Sequence, residues 1–461
     1  MEAVLNEARG VEEPVRSDSR RGLKLAPSAF RPFAISCLTV TLAGHLLLAL
    51  AVIPPWQNPD EPQHVAAARL RSRESGLDAD AEREIVQSMA AHGWWFHYRR
   101  PTPDPLPVTF ADGPARVVAS YVGPPTVGPQ LYYLVLGRAF DMWDVHDVLR
   151  QLYLMRYVSA AAALLTLVCV WMGTERLFGR SAALVVSAAL ALHPQFAIVS
   201  ATAGPDAIAN LAGGLFWWQG ARFLAAPWTF SALAGMWGAA VAGFLSRRLA
   251  ASLLVMAVLM TIAGAVRLRR NRVGTRVILA ALSLIAIVVG WALTPAALTL
   301  LAFDPAHAAQ QTVANLPRLP RFLEMLWESM WVSAGWLRYP PPPAWNVPLA
   351  IVCLSAAAGV VAHAVKRRAE RGPIVFAVTL VAIQCAAIIG YHFGYLNGGA
   401  QGRYLFPVIP ALLALLWLGL REWTARWEEW PTAVIMILVM ALFNVAAWTR
   451  VILPAFAAWM E

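Results

Sequence analysis

A short polar segment after the first long apolar run of the chain holds two adjacent carboxylates and a histidine. Residues 58–64 read Asn-Pro-Asp-Glu-Pro-Gln-His. A carboxylate from Asp60 or Glu61 could take a proton from an acceptor hydroxyl or bind a divalent cation such as Mg²⁺ or Mn²⁺. His64 lies one helical turn after Asp60 and would support the same site or add a metal ligand. This segment is the first candidate for a catalytic site.

Helix capping is the structural alternative for the same segment. Asn58 could be the N-cap residue and Pro59 the first helical residue, and acids in the first turn would interact favourably with the helix dipole. Capping needs one acceptor, however, whereas this segment presents two carboxylates. The residue types alone leave both interpretations open.

A second acidic helix start is predicted at residues 204–206, which read Gly-Pro-Asp. Capping is again the alternative, but Asp206 and Asp60 are predicted at the same membrane face, which favours a shared function. The apolar segment before this turn carries His193 and Gln195 on either side of a proline. Such polar groups are costly against lipid, so we expect them to face a polar cavity, as supports of a site, or to pack against neighbouring helices.

A glycine-rich segment at residues 397–404, Asn-Gly-Gly-Ala-Gln-Gly-Arg-Tyr, leads into a late apolar segment. An arginine at a helix start opposes the helix dipole, but Arg403 becomes favourable if a phosphate binds between its guanidinium group and the backbone N–H groups. The alternative is that Arg403 extends to the lipid headgroups. Arg247 and Arg248 are predicted at the same face and could bind the same phosphate, with Gln401 and Tyr404 as supports.

Aromatic side chains are concentrated in residues 327–345, which include Trp327, Trp331, Trp336 and Tyr339. Aromatic residues at a bilayer interface ordinarily anchor the protein there. The alternative is a platform on which a sugar ring stacks, with Trp336 as a support of the substrate site.

The composition of the chain predicts the elements that position these residues. Of the 461 residues, 59% are hydrophobic and 14% are charged, and the mean hydropathy is +0.55. These values predict an all-α, polytopic transmembrane bundle. Eleven membrane spans are predicted, at residues 33–53, 150–172, 181–203, 207–226, 229–245, 250–266, 277–301, 346–364, 373–391, 404–420 and 431–453.

Residues 1–32 are predicted to form a polar cytoplasmic leader, and residues 33–461 the transmembrane domain. No cleavable signal peptide is expected, because the leader carries charges of both signs and continues directly into a full-length span. Two loops are long, residues 54–149 and 302–345, and the function is expected in them. The first should contain helices at residues 59–74 and 79–92 and an interfacial helix at 129–140, with a proline-rich irregular stretch between them.

The distribution of basic residues predicts the orientation of the chain, because positively charged short loops remain cytoplasmic. With the N-terminus inside, the short outer loops carry only Arg247, Arg248 and Arg403. The short inner loops carry fourteen basic residues, namely Arg176, Arg180, Arg222, Arg267, Arg269, Arg270, Arg272, Arg276, Lys366, Arg367, Arg368, Arg371, Arg421 and Arg426. The net charge of +10 therefore records membrane topology, and it does not indicate a nucleic-acid partner.

These motifs occur in an order that resembles a bacterial family of predicted membrane proteins classed as a domain of unknown function, which is similar to the GT-C glycosyltransferase superfamily. The resemblance covers roughly residues 33–420. The motifs that carry it are Pro59-Asp60-Glu61 with His64, His193-Pro194-Gln195-Phe196, Gly204-Pro205-Asp206-Ala207, Gly335-Trp336 and Gln401-Gly402-Arg403-Tyr404. The chain departs from the usual Asn-Pro-Asp by having Gly204, and from a common lysine after the fifth span by having Arg247 and Arg248.

The resemblance implies a GT-C-like bundle in the bacterial plasma membrane with an extracytoplasmic active face. By this resemblance, Asp60 matches the catalytic acid of the first loop, with Glu61 as its support, and Arg403 matches an arginine near the lipid phosphate. The implied activity is transfer of a sugar from a polyprenyl-phosphate donor to a glycan or protein acceptor. The alternatives are a non-catalytic flippase or transporter of lipid-linked sugars and a structural protein of the cell envelope.

Overall fold

Helices account for nearly all of the regular structure. The computed structural model describes residues 27–73, 79–97, 131–225, 229–268, 305–335, 337–393, 401–425, 427 and 429–457. Within these ranges the β-structure is limited to one isolated bridge between Ala334 and Tyr339. A helix satisfies its backbone hydrogen bonds internally, which is what a segment in a hydrocarbon environment requires. The predicted all-α fold class is therefore confirmed.

The helices alternate between long apolar segments and short segments at one end of the bundle. In chain order they are α1 (Pro27–Val52), α2 (Glu61–Arg69), α3 (Ala79–Ala91), α4 (Trp94–His97), α5 (Leu131–Met142), α6 (Val148–Phe178), α7 (Arg180–Ala191), α8 (Pro194–Ser200), α9 (Asp206–Ala225), α10 (Phe230–Ser246), α11 (Ala251–Leu268), α12 (Pro305–Asn315), α13 (Leu319–Trp331), α14 (Asn346–Lys366), α15 (Arg371–Ile388), α16 (Ile409–Trp423), α17 (Glu429–Ala447) and α18 (Leu453–Phe456). The predicted short helices of the first loop correspond to α2, α3 and α5, and the proline-rich stretch lies outside the described residues.

The prediction of eleven spans is not confirmed. Seven helical segments in the described ranges are long and apolar enough to cross a membrane, or eight if α7 and α8 form one broken span. The predicted span at 207–226 is the helix α9, whose apolar run is interrupted by Asn210, Gln219 and Arg222. The span predicted at 229–245 is a shorter apolar helix, and the one at 277–301 lies outside the described residues.

The break between α7 and α8 lies at His193 and Pro194. The two helices are bent by 62°. Pro194 occupies the first turn of α8, and His193 Nδ1 accepts a hydrogen bond of 3.3 Å from the Phe196 N–H. Proline lacks the N–H that would continue α7, while the cap satisfies a donor at the new helix start. The predicted span at 181–203 is thus two helices that change direction beneath the Gly204 turn.

Near the centre of the bundle, a glycine allows two backbone segments to pack in direct contact. Gly213 of α9 packs against the Gly402–Val408 segment, where an added Cβ would lie 1.9 Å from the Pro407 carbonyl oxygen. We expect Gly213→Ala to lower the free energy of unfolding by about 1–3 kcal/mol, because neither backbone can move aside. Thermal unfolding in detergent would measure the change. Gly238→Ala in α10 is the matched control, since no heavy atom of the structure lies within 4 Å of its Cβ, and an equal loss in both variants would contradict the close contact.

Ion pairs at one end of the bundle join the helix ends that are predicted to be cytoplasmic. Arg31 at the start of α1 pairs with Glu175 at the end of α6, at 3.1 Å. Arg421 of α16 pairs with Glu429 of α17, at 3.0 Å. The residues predicted on the outer face meet at the opposite helix ends. The two predicted sets of residues therefore lie at opposite ends of the bundle, and which end faces the cytoplasm stays a prediction.

Candidate active site

Asp60 lies at the start of α2 in the left-handed backbone region, which residues other than glycine adopt uncommonly. The helix begins at Glu61, and Asp60 occupies the N-cap position with φ of 67°. Within the described part of the chain its side chain makes no capping hydrogen bond. The capping interpretation is therefore wrong for Asn58 as N-cap, Pro59 as first helical residue and Asp60 in the first turn, whereas Glu61 does lie in the first turn. A non-glycine residue held in the left-handed region carries strain that surrounding contacts must balance.

The Asp60 carboxylate is bound by Arg403, the second residue of the Gly402–Val408 segment. Arg403 Nη2 donates to Asp60 Oδ2 at 2.6 Å. Arg403 Nη1 lies 3.4 Å from Asp206 Oδ2, and Arg247 Nη1 lies 2.5 Å from Asp206 Oδ1. Four side chains that are distant in sequence thus form one alternating row of charges. The predicted meeting of Asp60, Asp206, Arg403 and Arg247 at one face is observed, although Arg403 contacts carboxylates where a phosphate was expected.

Tyr404 lies between the two arginines of this row. Its ring centroid is 5.0 Å from the Arg247 guanidinium carbon and 5.6 Å from that of Arg403. Cation–π attraction at this distance fixes the orientation of both guanidinium groups. Arg248, which follows Arg247 in the chain, donates to the Tyr391 hydroxyl at 2.9 Å. In the described ranges Arg248 forms no ion pair, so it adds a positive charge without a matching carboxylate.

Glu61 is part of a separate buried ion pair with Arg156. Two nitrogens of Arg156 donate to the two Glu61 oxygens at 2.7 Å each, and both side chains are fully buried. Arg156 also donates to the backbone carbonyls of Ile53 and Pro54, and Glu61 accepts from the Ala203 N–H. With both oxygens engaged, the geometry favours Glu61 as a structural residue that holds the first loop against α6, in place of the predicted catalytic or metal-binding role.

Sequence reasoning missed Arg156, although a signal was present. Its position within the predicted span 150–172 puts a guanidinium group in an apolar segment, which is costly unless a partner is supplied. That signal would have indicated a buried acid as the partner. Nothing in the spacing of Glu61 and Arg156, 95 positions apart, would have identified which acid it is.

His64 lies beside the charged row and is hydrogen-bonded to α5. His64 Nδ1 lies 2.8 Å from the Tyr133 hydroxyl, and the two rings stack at 5.8 Å. A Cβ on Gly204 would lie 3.1 Å from the His64 ring, which explains why glycine suits this turn. The prediction that His64 supports the site is consistent with this placement.

Burial and the neighbouring charges set the protonation states of Asp60 and His64. Burial raises the pKa of Asp60, but the Arg403 and Arg247 guanidinium groups outweigh it, so the pKa lies below its ordinary value. Burial lowers the pKa of His64 to about 4, and the Asp60 carboxylate opposes this shift only in part. At neutral pH the site therefore contains an ionised Asp60 and an uncharged His64.

The lowered pKa of His64 predicts a loss of stability in acid. The unfolded chain takes up a proton near pH 6.5, whereas the folded protein resists it down to a pKa of about 4. Stability is therefore complete above pH 6.5 and falls as the pH drops toward 4. Between pH 7.5 and pH 5 the His64 contribution should fall by roughly 2 kcal/mol. Unfolding midpoints of wild type and His64→Gln at both pH values would measure it, and an equal acid loss in both proteins would contradict the assignment.

The described residues contain no group of three or more histidine, cysteine or acidic side chains that could hold a metal ion. Asp60 is paired with Arg403 and Glu61 with Arg156, so these acids and His64 do not converge on one point. Binding of Mg²⁺ or Mn²⁺ stays a prediction that the geometry does not favour.

The remaining predicted residues are divided between the site and the core. Gln195 lines a small cavity beside Arg403, as does Gln401, and Gln195 Oε1 accepts from the Ser333 N–H at 2.6 Å. His193 is buried at the α7–α8 break, where its ring stacks 6.3 Å from that of Trp331, away from the charged row. Trp336, the predicted support of a sugar platform, lies outside the described residues.

Comparison with known proteins gives one structural likeness and one family. The chain is similar to ArnT from Cupriavidus metallidurans in the apo state, at 17% sequence identity with a TM-score of 0.40, covering 88% of this chain and 62% of that one. No curated protein matches it significantly. The family match includes Asp206, Arg247 and Arg403 and begins after Asp60. From this match over residues 115–412, the chain belongs to the family described as predicted membrane protein (DUF2142).

Proposed function

We propose that this protein is a membrane glycosyltransferase that moves a sugar from a polyprenyl-phosphate donor to an acceptor hydroxyl outside the cytoplasm. The observation that carries the proposal is the row formed by Asp60, Arg403, Asp206 and Arg247. It combines a carboxylate that is 24% exposed with guanidinium groups at the end of a membrane bundle. A base for a hydroxyl and cations for a phosphate are the groups that this reaction needs.

In this mechanism Asp60 takes the proton of the acceptor hydroxyl. The acceptor oxygen forms a bond to the anomeric carbon of the donor sugar, and the bond between that carbon and the phosphate oxygen breaks. The lipid phosphate leaves with the electron pair, and Arg247, Arg248 and Arg403 stabilise its negative charge. Because a lipid phosphate is already a good leaving group, positioning and charge neutralisation supply most of the required catalysis.

The pairing of Asp60 with Arg403 gives the donor a second role. A carboxylate held at a low pKa is a weak base. A phosphate that binds Arg403 competes with Asp60 for the same guanidinium group, and this competition raises the pKa of the carboxylate. Donor binding thereby activates the base, so the acceptor is deprotonated only when the donor is in place.

The buried histidine of α1 argues against the main alternative, a transporter that couples transport to protonation. Such a protein needs ionisable groups near the middle of the membrane. His45 belongs to a helix that is long and apolar enough to cross a membrane, but its Nδ1 is 3.0 Å from the Ala191 carbonyl and its Nε2 accepts from Trp448 Nε1 at 2.6 Å. One nitrogen donates and the other accepts, which is the hydrogen bonding of a neutral imidazole. We therefore assign His45 to packing.

Recognition of the lipid phosphate can be tested by binding. We expect the purified protein to bind a polyprenyl phosphate and Arg247→Gln to weaken that binding about tenfold, because a charge-assisted contact is lost. Native mass spectrometry of the protein in lipid nanodiscs would compare the affinities. Arg222→Gln is the matched control, since Arg222 lies at the opposite end of α9, bonded to Gln219 and Ser231. Equal affinity in wild type and Arg247→Gln would contradict this role of the arginine.

A further inference from the structure

A small polar cavity lies next to Arg403 and is enclosed by four separate parts of the chain. Its walls are the approach to α2, the helix α8, the α13 region and the start of the Gly402–Val408 segment. Gly402 fixes this last wall, because a Cβ there would lie 2.1 Å from the Met330 backbone nitrogen, and its N–H donates to Ser329 Oγ at 2.7 Å. Close contact between the backbones at Gly402 and Met330 therefore fixes this wall of the cavity.

Three residues that line the cavity have buried polar atoms without a hydrogen-bond partner among the described residues. These atoms are Asn58 Nδ2, Arg403 Nε and Gln401 Oε1. Asn58 is 2% exposed and Arg403 is 4% exposed. Leaving a buried polar group unpaired costs about 1–3 kcal/mol, so three such atoms around one cavity indicate a ligand group that pairs with them.

The unpaired atoms match the hydrogen-bonding capacity of one hydroxyl group. Asn58 Nδ2 and Arg403 Nε are donors and Gln401 Oε1 is an acceptor, while a hydroxyl accepts two hydrogen bonds and donates one. A water molecule would keep one hydrogen without a partner. The cavity offers about 10 Å³ to the centre of a water-sized group, which is about the room for a single oxygen. A phosphate or a carboxylate is too large for it.

We infer that this cavity is a recognition subsite for one hydroxyl group of a sugar substrate, with Asn58 and Gln401 as its specificity-determining residues. The inference rests on the proposed function, because Arg403 joins the subsite to the Asp60 carboxylate at 2.6 Å. Asn58 and Pro59 line the cavity and directly precede Asp60 in the chain, so the subsite adjoins the proposed base. The motif residues Asn58 and Gln401, which the mechanism leaves unused, thereby select and orient the sugar.

The inference is tested by binding of sugars that lack one hydroxyl at a time. The probes are methyl pyranosides and their monodeoxy analogues, with affinities measured by saturation-transfer NMR. For wild type, one monodeoxy analogue should bind about tenfold more weakly than its parent. Asn58→Ala should bind parent and analogue equally, and so should Gln401→Ala, a second variant at a half-buried position. Gln310→Ala, an exposed amide on α12, should behave as wild type.

Two results would overturn the inference. Equal binding of every parent and analogue by wild type, for free and lipid-linked sugars alike, would mean that the cavity holds only water, and failure of wild type to bind any parent sugar of either kind would mean that no sugar reaches it. Farnesyl-phosphate-linked sugars and their monodeoxy analogues form a second arm. A deoxy effect confined to that arm assigns the hydroxyl to the donor sugar, and one seen with methyl pyranosides assigns it to the acceptor.

The outcome is separable from that of the proposed function, since binding and cleavage are measured independently. Release of polyprenyl phosphate by wild type together with a deoxy effect that persists in Asn58→Ala would sink only the subsite. A deoxy effect that Asn58→Ala abolishes, without any cleavage of lipid-linked sugars, would sink only the transferase.

Discussion

Asp60→Asn is expected to lower the rate of sugar transfer by about 10²–10⁴-fold, the range that a general base supplies. Asparagine is close to aspartate in size and can still accept a hydrogen bond from Arg403, but it cannot take the acceptor proton. Turnover of a polyprenyl-phosphate sugar by the purified variant would measure the loss. The substitution should leave the fold intact, because Arg403 retains its ion pair with Asp206.

The pH dependence of the rate separates a catalytic role of Asp60 from a positioning role. For wild type the rate should rise with pH as the Asp60 carboxyl group loses its proton, and the rise should be absent in Asp60→Asn. Asp80→Asn is the matched control, since Asp80 lies on the exposed side of α3 and pairs only locally with Arg83. Wild-type turnover in Asp60→Asn would contradict the role of Asp60 as the catalytic base.

Arg156→Met is expected to produce the largest loss of stability, about 3–5 kcal/mol. The substitution leaves the Glu61 carboxylate buried without its counter-ion and removes the donors to the carbonyls of Ile53 and Pro54. The unfolding midpoint in detergent and the yield of folded protein would both fall. Because the start of α2 would lose its ion pair with α6, although the hydrogen bond from Arg69 to Gln151 at its other end remains, Asp60 would also be held less firmly.

The double variant Arg156→Met with Glu61→Gln is the control for this effect. It removes both charges, so the penalty for an unpaired buried carboxylate disappears and much of the lost stability should return. If the double variant were as unstable as Arg156→Met alone, the loss would come from packing of the arginine and the ion pair would not be its cause.

The meeting of the charged site residues at one end of the bundle was predictable from the sequence because membrane topology constrains it. Alternating spans and the arginine distribution predict that Asp60, Asp206, Arg247 and Arg403 are at one face, and their contacts bear this out. Helix ends that share a face of a bundle have few places to lie, so charged residues at those ends must either meet or face water.

The partners within the site were not predictable, because each pair joins residues far apart in sequence. Position relative to the membrane does not determine that Arg403 binds two carboxylates, or that Glu61 faces inward while Asp60 faces the site. That division follows from the left-handed backbone at Asp60, with φ of 67°. Local preference favours an ordinary capped helix start there, and the Arg156 and Arg403 contacts override that preference.

Two predicted spans differ from the helices of the structure for a related reason. Hydropathy treats residues 181–203 as one apolar segment, but Pro194 removes a helical hydrogen bond and His193 caps the new start. The segment at 207–226 is the helix α9, which begins at Asp206, and its apolar residues are interspersed with Asn210, Gln219 and Arg222.

The most direct test of the transferase is cleavage of the bond between sugar and lipid phosphate. Purified wild-type protein in proteoliposomes would be incubated with a panel of polyprenyl-phosphate sugars, with water and added simple glycosides as hydroxyl acceptors, and free polyprenyl phosphate would be measured. The proposed function predicts that at least one donor is cleaved and that Asp60→Asn abolishes the release. Movement of the lipid-linked sugars between the membrane leaflets, with every donor left intact, would contradict the transferase and identify a transporter.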